Sequence, residues 1–245
     1  MKETGTKIRK APTIGHNMQA FSAADPLLRH MHANDILPEY EEIDGRSYTP
    51  SDMIIREKLY SAIEHEDINV FIQPIVTLPQ RKATFYEIFG RLRINAGEYV
   101  GADHYLKIAQ EENLNERLDT LVFVECLNVF QEFYQRTRTN VQCFVNIKPS
   151  IMRNHDYMSV LLGVFKNHRD LAHNLIFEMP FRDYLTLSAP EIKVLEGLHS
   201  LGCRFSADHL THIPTNLNML KARHIEFIKI PASVLFEGAL RDDSF

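Results

Sequence analysis

Four short apolar runs in the second half of the chain each end in a polar side chain that could do chemistry. The runs are VQCFVN, NLIFE, CRFSAD and EFIK, and they end at Asn146, Glu178, Asp208 and Lys229. Carboxylate and carboxamide oxygens are the ligands that hard cations such as Mg²⁺, Ca²⁺ and Mn²⁺ prefer. A lysine beside them would balance anionic charge or contact an attacking water. These residues therefore indicate phosphate-ester chemistry assisted by one or two metal ions.

A further carboxylate, Glu87, lies in the run ATFYEIFGRLR together with the guanidinium of Arg91. The run is rich in β-branched and aromatic residues and predicts a strand, in which every second side chain shares a face. Glu87 and Arg91 then share a face with Phe85 and Phe89. Because unpaired buried charge is costly, two interpretations stay open. The two residues satisfy each other as an ion pair, or they belong to a ligand site in which Glu87 binds a metal and Arg91 a phosphate.

The order of the elements predicts how these side chains could meet. INVFIQPIV and the run after it predict two strands joined by a turn around Pro79-Gln80, and each later run is followed by a helix or helical turn. That repeated order is typical of a parallel α/β fold. In a β/α barrel the carboxyl ends of the strands meet on one face, so we expect one shared site. The alternative is four unrelated loop starts.

Helical spacing of apolar residues predicts several helices between these strands. Ser51 and Ser188 are the predicted N-caps of two of them. The predicted helical segments are 51–66, 102–110, 115–136, 157–166, 190–201 and 216–221.

Composition excludes some classes of function. The net charge of -5 over 245 residues argues against a general binder of nucleic acid or membrane surfaces. No GxGxxG or GxxxxGK motif is present, which argues against a Rossmann or Walker nucleotide site. The chain starts without the apolar core of a signal peptide, and no apolar run reaches the length of a membrane helix.

The three cysteines lie far apart in apolar runs, at Cys126, Cys143 and Cys203. They form no CxxC pair, so we expect buried free thiols in a reducing cytoplasm. Residues 1–50 show no sustained periodicity and contain prolines at regular intervals. They predict a flexible or loosely docked tail before a domain over 51–245.

Six motifs in order and spacing resemble the EAL domain family. They are QPIV at 73–76, ExxxR at 87–91, VNI at 145–147, FE at 177–178, LGCRFSADHL at 201–210 and FIKI at 227–230. The resemblance covers about residues 55–237. It implies a TIM-like (β/α) barrel that hydrolyses cyclic di-GMP with Mg²⁺ or Mn²⁺, or a receptor or docking module that has lost catalysis. The variant motifs look most like the TipF-like proteins of bacterial flagellum assembly and polarity.

The resemblance also implies roles for individual residues. The implied metal ligands are Glu87, Asn146, Glu178 and Asp208, and Lys229 would lie near the catalytic water. In an active enzyme, Lys229 and Asp208 would be catalytic residues. The implied contacts to cyclic di-GMP are Gln73, Arg91 and, near a guanine, Asp119.

Departures from the family pattern predict weakened metal binding. His209 stands where the family has a second aspartate that bridges two metals, and a neutral imidazole offers a single lone pair. The family's second glutamate in ExxE is replaced in the sequence Glu178-Met179-Pro180-Phe181, and Pro231 replaces a further acid. Each change removes negative charge, so Mg²⁺ or Mn²⁺ should bind weakly or not at all.

The motifs account for six of the family's eight strands, because the chain ends at Phe245 soon after the sixth. We therefore expect an apparently incomplete barrel with open strand edges. Truncation or degeneration and closure by a protein partner or second copy are about equally favoured explanations. Coverage by residues 1–50 is the least favoured, because that tail lacks strand-like runs.

These observations favour a catalytically weak or inactive cyclic di-GMP receptor or interaction module. The alternatives are an active phosphodiesterase that gives linear pGpG, and a protein-only scaffold with a vestigial pocket. The expected partners are cyclic di-GMP and a protein partner or homodimer.

Overall fold

The computed structural model describes residues 41–43, 46–137, 141–212 and 217–234. The chain forms two compact units. One comprises the described part of Met1–Phe71 with Gly90–Leu114, and the other Ile72–Phe89 with the described part of Asn115–Phe245. Residues 1–40 lie outside the described residues, so the tail stays a prediction.

The first unit contains a short hairpin that the sequence did not predict. Strands β1 (Glu41–Ile43) and β2 (Arg46–Tyr48) pair antiparallel. The expectation that residues 1–50 lack strands was therefore wrong for this segment. It was wrong because three-residue strands are too short to show a hydrophobic period.

Helix α1 (Pro50–Glu64) has its N-cap two residues earlier than predicted. Thr49 is the N-cap: its hydroxyl accepts from the backbone N–H of Asp52, and the Asp52 carboxylate accepts from the backbone N–H of Thr49. Pro50, at the first helical position, has the φ that a helix requires. Ser51 is thus inside the helix, and its predicted capping role was wrong.

Strands β3 (Asn69–Val76) and β4 (Ala83–Asn95) occupy the two runs predicted as strands. The turn between them is closed by the N–H of Thr77 donating to the carbonyl of Lys82 at 2.9 Å. Strand β5 (Glu98–Val100) pairs antiparallel with β4. Helix α2 (Ala102–Glu111) follows.

The rest of the chain alternates helices and strands. The helices are α3 (Asn115–Thr137), α4 (Pro149–Met152), α5 (His155–Asn167), α6 (Arg169–His173), α7 (Phe181–Thr186), α8 (Ala189–Ser200) and α9 (Leu217–Ala222). The strands are β6 (Gln142–Asn146), β7 (Leu175–Pro180), β8 (Arg204–Asp208) and β9 (Ile225–Ile228). Ser188 and Glu191 form a capping box at α8, which confirms that predicted cap.

Apart from the β1–β2 hairpin, the described strands form one seven-stranded sheet in the order β3-β4-β6-β7-β8-β9, with β5 beside β4. Each neighbouring pair from β4 to β9 is parallel. The fold is therefore α/β, with a parallel sheet and helices, consistent with an incomplete TIM-like barrel. This confirms the predicted fold class.

One face of the second unit's sheet forms its core. Val145 and Phe177 on this face are fully buried, and the Phe177 ring lies 5.9 Å from Phe123 of α3 and 6.4 Å from Phe165 of α5. Because side chains alternate along a strand, the residues between these apolar positions lie on the opposite face. The three cysteines are buried and free, as predicted.

No helix among the described residues has both the length and the apolar character that crossing a membrane requires.

Candidate functional site

The strand register gathers the predicted metal ligands on one face of the sheet. Asn146 of β6 lies opposite Glu178 of β7, and Asp208 of β8 lies opposite Pro180, two residues after Glu178. Glu87 of β4 lies opposite Phe144, two residues before Asn146. Residues two apart along a strand share a face, so all four ligands point to the same side. The predicted shared site is thereby assembled.

Lys229 links two of these carboxylates. Its ammonium lies 2.9 Å from Glu87 Oε2 and 2.7 Å from Glu178 Oε1. The Lys229 backbone N–H donates to the carbonyl of Ala207 at 2.8 Å, which continues the pairing of β9 with β8 and fixes where the side chain starts. The ion partner that the structure gives to Glu87 is therefore Lys229, whereas one sequence interpretation had assigned that role to Arg91.

Burial and the attraction between the charges shift the pKa values of Glu178 and Lys229 in opposite directions. The side chain of Glu178 is 1% exposed, and burial raises its pKa to about 7 although Lys229 pulls it down. The nearby Glu87 and Asp208 raise the Glu178 pKa further by like-charge repulsion. Burial alone would lower the pKa of Lys229, but the attraction of Glu178 and Glu87 outweighs burial and raises it. The ammonium therefore stays charged at neutral pH.

Two buried polar atoms beside the ion pair have no hydrogen-bond partner among the residues that the structure describes. They are Oε2 of Glu178 and Oγ of Ser206, which lies opposite Glu178 on β8. The Ser206 carbonyl accepts a hydrogen bond from the buried hydroxyl of Tyr184 at 3.0 Å. Since buried polar atoms usually have a partner, these two atoms mark a place for a water, an ion or a ligand.

Asp208 interacts with the residue that follows it. The backbone N–H of His209 donates to Asp208 Oδ1 at 2.6 Å, and His209 Nε2 lies 3.7 Å from Asp208 Oδ2. His209 has a left-handed backbone, with φ of 55°, and its side chain is 77% exposed. The His209 imidazole is thus directed to solvent beside Asp208.

The donor chemistry of the site suits a hard cation, but the arrangement does not fit one as it stands. Glu178 Oε2 is an orphaned carboxylate oxygen of the kind that ligates Mg²⁺ or Mn²⁺. However, the Lys229 ammonium contacts an oxygen of each glutamate. Within the part of the chain that the structure describes, no group of three or more His, Cys, Asp or Glu side chains is placed to hold a metal.

The three residues predicted to contact cyclic di-GMP do not all belong to the same unit. Gln73 is exposed on β3 in the same unit as the carboxylates. Asp119 of α3 is held by Lys148, whose ammonium lies 2.6 Å from Oδ1. Burial raises the pKa of Asp119, and Lys148 partly opposes this. Arg91 belongs to the other unit, where its guanidinium lies near Gly101.

An aromatic cluster of Phe85, Phe144 and Phe227 lies beside the site; sequence reasoning placed Phe85 on the face of Glu87 but missed Phe144 and Phe227. The three ring centroids lie 5.4 to 5.7 Å apart in edge-to-face pairs, and Lys229 Nζ lies 5.1 Å from the Phe144 centroid. Each phenylalanine lies two residues before a site residue in the chain, namely Glu87, Asn146 and Lys229. The same alternation could have found Phe144 and Phe227. Lys148, two residues after Asn146, was missed as well.

The fold and the site together define a class: an α/β protein of barrel type with acidic and amide side chains at the carboxyl ends of parallel strands. A protein-family model described as EAL domain matches residues 56–244. The chain therefore belongs to the EAL domain family, which confirms the family resemblance seen in the sequence.

Two curated relatives carry similar sequences. Cyclic di-GMP phosphodiesterase PdeF of Escherichia coli (strain K12) is 23% identical over 203 residues, which cover 81% of this chain and 27% of that protein. Cyclic di-GMP phosphodiesterase PdeA of Borreliella burgdorferi is 22% identical over 214 residues, which cover 84% of this chain and 32% of that protein. The chain spans about a third or less of the length of these relatives.

Among solved structures, the Xanthomonas citri FimX EAL domain in complex with c-diGMP has a similar fold. The TM-score is 0.59 at 18% identity, and the match covers 74% of this chain and 70% of that one.

Proposed function

We propose that this chain binds cyclic di-GMP and hydrolyses it weakly or not at all, acting as a receptor or interaction module. The observation that carries the proposal is the Lys229 ammonium between Glu87 and Glu178. An ammonium has no open coordination position for an activated water, so it balances charge without supplying a nucleophile. The site can then attract a ligand while lacking the means to cleave it.

The known proteins support the dinucleotide as the ligand. PdeF and PdeA are named cyclic di-GMP phosphodiesterases, and the FimX EAL domain was solved in complex with c-diGMP. We assign contacts to the dinucleotide to Gln73, Arg91 and Asp119, as the family motifs imply. Asp119 would have to exchange its ion pair with Lys148 for a ligand donor.

Isothermal titration with cyclic di-GMP tests the binding. We expect saturable binding to the wild-type chain and about tenfold weaker binding to Gln73→Ala, because a lost hydrogen bond to a charged ligand is worth roughly 1.5 kcal/mol or more. Gln135→Ala, an exposed position on α3, is the matched control and should bind like wild type. A folded wild-type chain that takes up no ligand would refute the proposal.

An active phosphodiesterase that yields pGpG is the second candidate. It is favoured by the placement of Glu87, Asn146, Glu178 and Asp208 on one face of the sheet. It requires turnover with Mn²⁺ or Mg²⁺ that Glu87→Gln abolishes. Turnover that survives this substitution would point to a contaminating enzyme.

The finer assignments rest on the sequence resemblance. We place the chain with the TipF-like proteins of flagellum assembly or polarity, in the cytoplasm, with a protein partner or a second copy. Of the tail expected over residues 1–50, before an EAL-like domain over 51–245, residues 1–40 stay a proposal, because strands β1 and β2 lie between Glu41 and Tyr48. A mutant strain without the chain should then show misplaced or missing flagella, and normal flagella would contradict this placement.

A further inference from the structure

Lys229 is held in place by more than its two ion pairs. Its backbone is fixed to Ala207, its ammonium lies 5.1 Å from the Phe144 centroid, and its side chain is only 25% exposed. Two of the three ammonium hydrogens are directed to Glu87 and Glu178. The side chain is therefore confined to the space between the two glutamates.

The same space is the one that a divalent ion would need. A Mg²⁺ or Mn²⁺ ligated by both glutamates would lie about 2.1 Å from their oxygens. The ammonium nitrogen already lies 2.9 and 2.7 Å from those oxygens. Two cations that share two carboxylates at such distances repel strongly in a partly buried site. The ammonium and the divalent ion are thus alternatives.

We propose that Lys229 is the built-in cation of this site and competes with divalent metal ions for Glu87 and Glu178. This inference deepens the proposed function, and it rests on that function only for the site's biological use. It accounts for the disagreement between the metal dependence implied by the family resemblance and the arrangement seen here.

Removal of the Lys229 ammonium would add to the one carboxylate oxygen, Glu178 Oε2, that already has no partner among the described residues. Without Lys229, three carboxylate oxygens, namely Glu87 Oε2 and both Glu178 oxygens, would be left without a partner among the contacts described. Such a cluster of anionic oxygens is costly when uncompensated and is a set that a hard cation prefers. Loss of the lysine should therefore create metal affinity.

The test is a Mn²⁺ titration of Lys229→Met, followed by the loss of the electron paramagnetic resonance signal of free Mn²⁺. We expect wild type to show no saturable site below about 1 mM and Lys229→Met to bind at least about tenfold more tightly. Lys193→Met, an exposed lysine on α8, removes the same charge away from the site and should behave like wild type.

A double variant separates the site from general charge effects. Lys229→Met with Glu178→Gln removes the ammonium together with the buried carboxylate, so the gained Mn²⁺ affinity should disappear. If the double variant keeps the gain, the ion binds elsewhere and the proposal is wrong. If Lys229→Met shows no gain at all, the ammonium does not compete with metal.

The wild-type chain gives a result even if Lys229→Met needs Mn²⁺ in order to fold. A tight Mn²⁺ site in wild type would overturn the proposal, because the ammonium would not then exclude the metal. A Lys229→Met chain that folds only with Mn²⁺ present would support it. None of these titrations contains cyclic di-GMP, so a failure to bind the dinucleotide refutes the proposed function and leaves this inference standing.

Discussion

At Glu178, burial and an ion pair act in opposite directions on one carboxyl group. Burial raises its pKa to about 7, and the contact with Lys229 opposes that rise by favouring the ionised carboxylate. That the residue lies at a strand end could be predicted from the apolar run before it. Its pairing with Lys229 could not, because the pairing depends on the geometry of two side chains that are 51 residues apart in the chain.

Asp119 offers a residue-scale test that is independent of the carboxylate site. Its side chain is 10% exposed and its ion partner is Lys148. Removing the partner leaves a largely buried charge, so Lys148→Met should lower the free energy of unfolding by about 1 kcal/mol, since Lys148 itself is half exposed. Urea denaturation measures this loss.

The double-mutant cycle with Asp119→Asn supplies the control. If the pair is responsible, Lys148→Met should cost little once the carboxylate is gone. An equal cost in both backgrounds would show that the lysine stem, and not the ion pair, stabilises the fold.

Glu112, in the first unit, gives a residue-scale prediction about pH. Its carboxylate accepts hydrogen bonds from Arg56, Tyr48 and Tyr60, and Arg56 leads these groups in lowering its pKa to about 2. A depressed pKa in the folded state means that the stabilisation is present above the ordinary pKa of 4.5 and is lost as pH falls toward 2.

Between neutral pH and about pH 3, this group should lose up to about 2 kcal/mol of stability. Unfolding curves of wild type and Glu112→Gln at both pH values measure it. The variant should be less stable than wild type at neutral pH, and the difference should shrink in acid. A difference that is the same at both pH values would contradict the assigned ionisation.

At the scale of single elements, the N-cap of helix α1 differs from the one predicted from the sequence. The N-cap is Thr49, two residues before the predicted Ser51. The order Thr49-Pro50-Ser51-Asp52 contained the answer, because an acid at the third helical position completes a capping box with Thr49. The capping box of Thr49 and Asp52 identifies the cap, whereas the spacing of apolar residues does not distinguish Thr49 from Ser51.

Thr49→Ala should therefore cost about 1 kcal/mol of stability, the usual value of an N-cap. Ser51→Ala is the matched control and should change stability by less than about 0.5 kcal/mol, as a substitution inside the first turn. Thermal or urea unfolding of both variants compares them directly. A larger loss for Ser51→Ala would reverse the assignment of the cap.

The strands illustrate what an alternating pattern can and cannot predict. The apolar runs gave β3, β4 and β6 to β9, and the helices between the later strands implied parallel pairing. Hairpin β1–β2 and strand β5, each of three residues, were missed. Their formation depends on pairing partners rather than on their own sequence pattern.

At the scale of the whole molecule, the division of the chain follows contacts that no local pattern records. One unit joins the described part of Met1–Phe71 to Gly90–Leu114, across a segment that belongs to the other unit. Such a discontinuous unit is defined by packing between distant segments. The family, in contrast, could be predicted, because six short motifs kept the order and spacing of the EAL domain over most of the chain.

The central claim is that the chain retains a cyclic di-GMP site in which the Lys229 ammonium occupies the space between Glu87 and Glu178 that a metal ion would need. The most direct measurement is to mix cyclic di-GMP with an excess of the chain and Mn²⁺, and then to follow bound ligand and pGpG together over hours by chromatography. We expect the dinucleotide to be bound and to remain intact. Conversion of the bound ligand to pGpG by wild type, abolished in Glu87→Gln, would contradict it and establish an active phosphodiesterase.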